Sequence, residues 1–157
     1  MAIGTPATKL LTSAGVEFIA HEYTHDPNST SFGLEAAEKL GVDPNRVFKT
    51  LIANVDETYA VAIVPVNQQV SLKSLSRSLG AKRATMADPT QAARLTGYVI
   101  GGISPLGQKR LLTTVIDESA RNFETILVSG GRRGFDIELA PSDLASLLSA
   151  IFADIAS

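Results

Sequence analysis

The stretch "VFKTLIANVDETYAVAIVPV", residues 47–66, decides the fold class. Two runs rich in β-branched and apolar residues, 47–55 and 58–66, are separated only by Asp56 and Glu57. Runs of that kind across a two-residue gap predict an antiparallel hairpin. On its N-terminal side, Thr5 and Pro6 supply a capping hydroxyl and a first-turn proline. A helix therefore starts there, carries Leu10, Leu11 and Ala14 as its apolar stripe, and ends at Gly15. "EFIAHEYTH" (17–25) reads as a strand, and residues 31–40 as a second helix stopped by Gly41.

On the C-terminal side, "SLKSLSRSLG" (71–80) is amphipathic, with Leu72, Leu75 and Leu79 on one side and Lys73 and Arg77 four apart on another. "KRATMA" (82–87) is a short strand. Asp88, Pro89 and Gln91 then make the cap, first-position proline and third-position acceptor of a helix that Gly97 ends. "LLTTVIDE", "ETILVSGG" and "FDIELAP" are strands. A final helix is predicted to carry Leu144, Leu147, Leu148, Ile151, Phe152 and Ile155 as one continuous stripe. Helices interrupt the strands irregularly. The expectation is an α+β fold, a mixed, mainly antiparallel sheet that curls into a barrel-like form with helices packed around it. No repeat or linker divides the chain, so residues 1–157 are read as one domain. Without strict βαβ alternation or a G-x-G-x-x-G after the first strand, a dinucleotide fold is not expected.

Composition narrows the function. The chain has 157 residues, of which 45% are hydrophobic and 19% charged, as in an ordinary soluble globular protein. Its apolar runs are far shorter than the roughly 20 residues a membrane helix needs. "MAIGTPATKLLTSAG" lacks the pattern of a secretory signal, so the expected location is cytoplasmic, away from membranes. There is no cysteine, which rules out disulfides, thiolate metal sites and a cysteine nucleophile. The net charge of −2 makes no case for nucleic acid by itself. The cations cluster, however: Lys73, Arg77, Lys82 and Arg83, then Lys109 and Arg110, then Arg132 and Arg133. Each cluster reads as solvated surface charge, and together they leave a polyanionic partner open.

Three places could carry chemistry. Lys49 is the only charge in "VFKTLIANV" and shares a strand face with Val47, Leu51, Ala53 and Val55. It must find an anion, lower its pKa, or lie near a strand end and reach water. "GYVIGGISPLGQKR" (97–110) combines glycines with apolar residues, unlike a solvated linker. Gly101 and Gly102 would let a ligand or another backbone approach, and free amides there could bind an oxygen atom; a plain tight turn is the other reading. In "VSGGRRGFDIEL" (128–139), Gly130 and Gly131 could bend the chain between two strands. Phe135, Ile137 and Leu139 then share one side and Asp136 and Glu138 the other. His21 and His25 lie four apart on a presumed strand, but zinc would need a third ligand. No H-E-x-x-H, G-x-S-x-G or P-loop appears.

"HEYTHD", "VFKTL", "GYVIGGISPLG" and "VSGGRRGFDIEL", at these spacings and across most of the chain, resemble the YbaK/EbsC family of aminoacyl-tRNA deacylases. The likeness is greatest to the YbaK branch, the Cys-tRNA(Pro) deacylases. The resemblance implies the curled sheet of the editing domain found in many bacterial prolyl-tRNA synthetases. It implies hydrolysis, in trans, of the ester joining cysteine to proline tRNA, with prolyl-tRNA synthetase as partner and no cofactor or metal. By the same resemblance Lys49 is the essential residue. Tyr23, Thr50, Gly101, Gly102, Ser129 and Asp136 are substrate-binding. Lys73, Arg77, Arg132 and Arg133 are candidates for touching the tRNA. The family is thought to use the substrate's own thiol to attack its ester, which suits a chain without cysteine. An alanine-directed deacylase of the same fold, a tRNA-end binding module without catalysis, and a hydrolase of an unrelated ester are the rival readings.

Overall fold

The alternation in the hairpin sorts its side chains onto two faces. In the computed structural model, which describes residues 4–157, β2 (Phe48–Val55) and β3 (Thr58–Pro65) pair antiparallel from Phe48↔Pro65 to Val55↔Thr58. Phe48, Ile52, Val61 and Ile63 enter the main core. Ala53, Val55, Ala60, Ala62 and Val64 enter a second core on the other face.

The hairpin is the centre of a five-stranded sheet, with β4 (Ala84–Met86), β5 (Thr113–Asp117) and β8 (Ile151–Ala153) in the order β4-β2-β3-β5-β8. The β3–β5 and β5–β8 pairs are parallel, and β2–β4 is antiparallel. A second, three-stranded antiparallel sheet has the order β1-β7-β6, from β1 (Ile19–Glu22), β6 (Ile126–Arg132) and β7 (Phe135–Leu139). The mixed, mainly antiparallel sheet is therefore present, but it does not close into a barrel. Among the described residues a single parallel bridge, Val47↔Leu127, connects the two sheets. Among the described residues five α-helices surround them: α1 (Pro6–Ala14), α2 (Phe32–Leu40), α3 (Leu72–Ser78), α4 (Pro89–Thr96) and α5 (Pro141–Leu148).

Local signals explain most helix ends. Thr5 and Thr8 form a reciprocal capping box on α1, and Gly15, Gly41 and Gly97 end α1, α2 and α4 in the left-handed conformation. Asp88 caps α4 by accepting from the Thr90 amide, but Gln91 does not reach back; its side chain accepts from Arg94. Three other expectations need correction. The strand predicted over 17–25 ends at Glu22, so His25 lies in a loop. Gly130 and Gly131 do not turn the chain; they form a bulge within β6, and Arg133-Gly134 makes the turn.

The predicted last helix stops at Leu148. Ser149 takes a left-handed conformation, the Ala150 amide donates to the Ala145 carbonyl, and Ile151–Ala153 pairs with β5 as β8. The apolar stripe serves two cores: Leu144 and Leu148 lie in the main one, Ile155 in the other. Over so short a span, helical and strand spacing give similar patterns, and the open edge of β5 supplied backbone groups that needed partners.

Buried Asp117 holds this tail. One carboxylate oxygen accepts from the amides of Ile155 and Ala156, each at 3.0 Å, and the other accepts from the amide and hydroxyl of Ser119. Removing this acceptor strands several donors. Asp117→Ala is expected to lower stability by about 3 kcal/mol in urea unfolding, and an unchanged midpoint would contradict the tie.

Candidate functional site

Past the Val47↔Leu127 bridge, β2 and β6 run in the same direction but are no longer paired. The gap between them opens into a cavity of about 500 Å³. Two residues beyond the bridge on each strand stand Lys49 and Ser129, and both line it. Ser129 is in register with Asp136 on β7, so the two share a sheet face and line the cavity together. Tyr23, Thr50 and Gly101 line it as well. Of the residues expected to bind substrate, only Gly102 is absent from this lining. A Cβ there would stand 2.8 Å from the Arg132 Cα, so this glycine lets the loop pack on the β6–β7 hairpin.

The charges in the cleft are unusual. The Lys49 ammonium makes no hydrogen bond or ion pair with the described residues, and removal from water alone pulls its pKa below the ordinary lysine value. Asp136 is 6% exposed and likewise has neither hydrogen-bond nor ion-pair partner among them. Burial pushes its carboxyl up to about 7. Burial, then the nearby Asp136 and Glu35 charges, push the Tyr23 phenol up to about 12. The Thr50 hydroxyl is buried without a partner, a costly state for a polar atom unless something else binds it. The Gly101 amide also has no acceptor among the described residues.

The glycine loop is a rigid wall. Residues 102–106 are buried, and the Tyr98 hydroxyl donates to the Leu106 carbonyl at 2.6 Å. At Gly107, with φ of +68°, a Cβ would come within 2.6 Å of the Pro6 backbone, so only glycine seats the loop on α1. At the cavity mouth the Arg133 guanidinium lies over the Phe32 ring, 4.8 Å from its centroid, and donates to the Ile100 carbonyl at 2.8 Å. Gly101 backs onto the same ring. Arg133, expected to touch tRNA, thus clamps the loop to α2. Arg132 is exposed, with Glu22 at 3.9 Å. Lys73 and Arg77 are exposed on α3 and do not line the cavity.

Phe32 and Leu34 from the first turn of α2, Met86 at the end of β4, Pro89 at the start of α4 and Ile100 in the glycine loop complete the cavity. Ile100 belongs to the glycine loop that the sequence singled out; Phe32, Leu34, Met86 and Pro89 were missed, because nothing local marked them as facing a cleft. The two histidines are held apart. His21 pairs with Glu138 at 2.8 Å, which Arg46 and Thr125 also bind, while His25 pairs with Glu35 at 2.6 Å. Burial alone would raise the Glu35 carboxyl, but hydrogen bonds from His25, the Asp26 amide and Lys39 hold it below its usual value. Among the described residues no cluster of three His, Asp or Glu could hold a metal ion, and no helix is long and apolar enough to cross a membrane.

None of the cleft hydroxyls is hydrogen-bonded to a base among the described residues. The sequence signature of the aminoacyl-tRNA editing domain matches residues 26–147. The chain belongs to that family, whose activity is aminoacyl-tRNA deacylation. It is 36% identical over 152 residues, 96% of this chain and 92% of the relative, to the Enterococcus faecalis protein named "Putative Cys-tRNA(Pro)/Cys-tRNA(Cys) deacylase EbsC". It is 28% identical to a proline–tRNA ligase of Thermosipho melanesiensis over 114 residues, which are 73% of this chain and 20% of that enzyme. Its fold matches a crystal structure described as "a putative trans-editing enzyme for prolyl tRNA synthetase", with a TM-score of 0.83, 23% identity and 99% of both chains covered.

Asp136 gives the site a pH signature. Its folded-state pKa, about 7, lies above the unfolded value near 3.9. The folded chain therefore keeps a proton that the unfolded chain releases, and stability falls as pH rises between those values. The stability of Asp136→Asn relative to the parent should rise across that window and level off above it, by about 4 kcal/mol at most. Urea unfolding at several pH values checks this; a pH-independent difference would contradict it.

Proposed function

We propose that this chain hydrolyses cysteine from mischarged proline tRNA in trans, with Lys49, Gly101 and Asp136 as the residues that position the ester. The observation that carries the reading is that an unpaired lysine and an unpaired aspartate line the same cavity without pairing to each other. An aminoacyl-tRNA end offers a matching pair of groups, an α-ammonium and, beyond the ribose, phosphate. Asp136 takes the ammonium, which would hold its carboxyl ionised. Lys49 takes a phosphate or the negative charge that develops on the ester carbonyl. The free Gly101 amide donates to that carbonyl, and Thr50 gains the partner it lacks.

Such a site supplies no attacking atom, so the substrate does. The cysteine sulfur bonds to its own ester carbon, the bond from that carbon to the ribose oxygen breaks, and the thiol proton passes to the departing oxygen. Water then opens the thiolactone. A serine hydroxyl is a poorer nucleophile and an alanine methyl is none, so chemistry rather than size selects the substrate. With the acids outnumbering the cations, 16 to 14, prolyl-tRNA synthetase is the partner expected to supply tRNA selectivity.

Deacylation of proline tRNA charged with cysteine, serine or alanine, with and without the synthetase, tests the proposal. Cysteine should be released fastest, and Lys49→Ala should lower kcat/KM by roughly 10²–10³-fold, the scale of losing one transition-state contact. Alanine released faster than cysteine would assign the alanine-directed activity instead. Release no faster than in buffer would leave only a binding module.

A further inference from the structure

The loop wall of the cavity lies in a long acid-free stretch. Between Asp88 and Asp117 there is no acidic residue, while Arg94, Lys109 and Arg110 are present. The rest of the chain carries 16 acids against 11 cations. The fold gathers these three charges. The glycine loop leaves α4 at Gly97 and returns to it: the Lys109 amide donates to the Thr96 carbonyl at 2.9 Å, and the Arg110 amide to the Leu95 carbonyl at 3.2 Å. Both feet of the loop are thereby fixed to the last turn of the helix that carries Arg94.

All three side chains are exposed and none is in an ion pair among the described residues. Leu111, next along the chain, is 80% exposed, so the foot of the loop projects from the surface. Cations at a helix C-terminus are favoured by its dipole, but one positive residue suffices for that, and a projecting acid-free cluster exceeds it. The opposite end of α4 is at the cavity, where Pro89 and Ala92 form part of the lining. An eight-residue helix is about 12 Å long, so the cluster stands a few nucleotides' reach from an ester held in the cleft.

We infer that Arg94, Lys109 and Arg110 form a phosphate-binding surface for the RNA strand that leads into the cavity. Of the two arginines at the β6–β7 turn, Arg133 is engaged in the loop clamp. The inference deepens the deacylase reading, on which the choice of RNA rests. Phosphate contacts position a nucleic acid without reading its sequence and release counterions, so they leave a salt signature.

The test is fluorescence anisotropy with an uncharged acceptor-stem RNA hairpin carrying a single-stranded 3′ end, over roughly 50 to 200 mM salt. The variant Arg94→Gln/Lys109→Gln/Arg110→Gln is compared with Lys9→Gln/Lys82→Gln/Arg83→Gln, which removes equal charge elsewhere; thermal melts confirm that both fold. The first variant should bind about tenfold or more weakly at low salt and lose roughly 2 to 3 from the slope of log K against log salt. The control should stay near wild type. Equal losses in both variants, or wild-type binding by the first, would overturn the inference. So would unchanged RNA binding with lost binding to a synthetase, which would assign the surface to a protein. The anisotropy assay measures no turnover, so a chain that bound RNA through this patch yet released no amino acid in the deacylation assay would sink the deacylase reading alone.

Discussion

The site depends on one seam. Val47 and Leu127, both fully buried, bridge the start of β2 to β6 in parallel, and the Val47 carbonyl also accepts from the Val66 amide. Nothing else joins the ladders of the two sheets in the described residues. Two strands tied at one point and unpaired beyond it leave a gap between them, and residues of both line it. Lys49 owes its place to being two residues past the seam on one strand, and Ser129 to being two residues past it on the other. A closed barrel would have filled this space with side chains.

Around that gap the protein accepts electrostatic cost. A lysine held below its usual pKa, a carboxyl raised to about 7 and a buried hydroxyl without a partner all oppose folding. The cost is borne by a frame with little freedom to relax. Gly33 lets α2 approach Val66, Gly107 seats the loop on Pro6, and Gly130 lies against the Phe135 ring. Each stands where a Cβ would collide with a neighbour, so these glycines serve packing as much as turning. The Arg133 clamp, laid across Phe32 and bonded to Ile100, then fixes the loop at the mouth of the cleft. Groups held this firmly need little reorganisation as charge develops in a substrate.

Much of this was legible in the sequence. The hairpin, the capped starts of α1 and α4, and the glycine stops of α1, α2 and α4 rest on local chemistry that the chain writes within a few residues. Lys49 stood out because a single charge interrupts an apolar strand, and the facing of Asp136 followed from strand alternation. What was lost depended on distant partners. The stripe from Leu144 to Ile155 fits one helix until β5 is seen to need a neighbour, and Gly130-Gly131 reads as a turn until Phe135 is seen beneath it. The clamp by Arg133 and the walls from Phe32 and Pro89 join segments far apart in the chain, and no local pattern encodes that meeting. Gly102 was read as an approach point for a ligand or another backbone, and the approach it permits in the fold is that of the Arg132 backbone.

The central claim is that the ammonium of Lys49 and the amide of Gly101 face the same enclosed space. Nuclear magnetic resonance of lysine- and glycine-labelled protein, titrated with an unreactive amide analogue of cysteinyl adenosine, addresses it directly. Lys49 should titrate below the other lysines in the free protein, and its signal and that of Gly101 should move together at one saturating ligand concentration. A Lys49 that titrates with the surface lysines, while Gly101 stays still as ligand is added, would contradict the account.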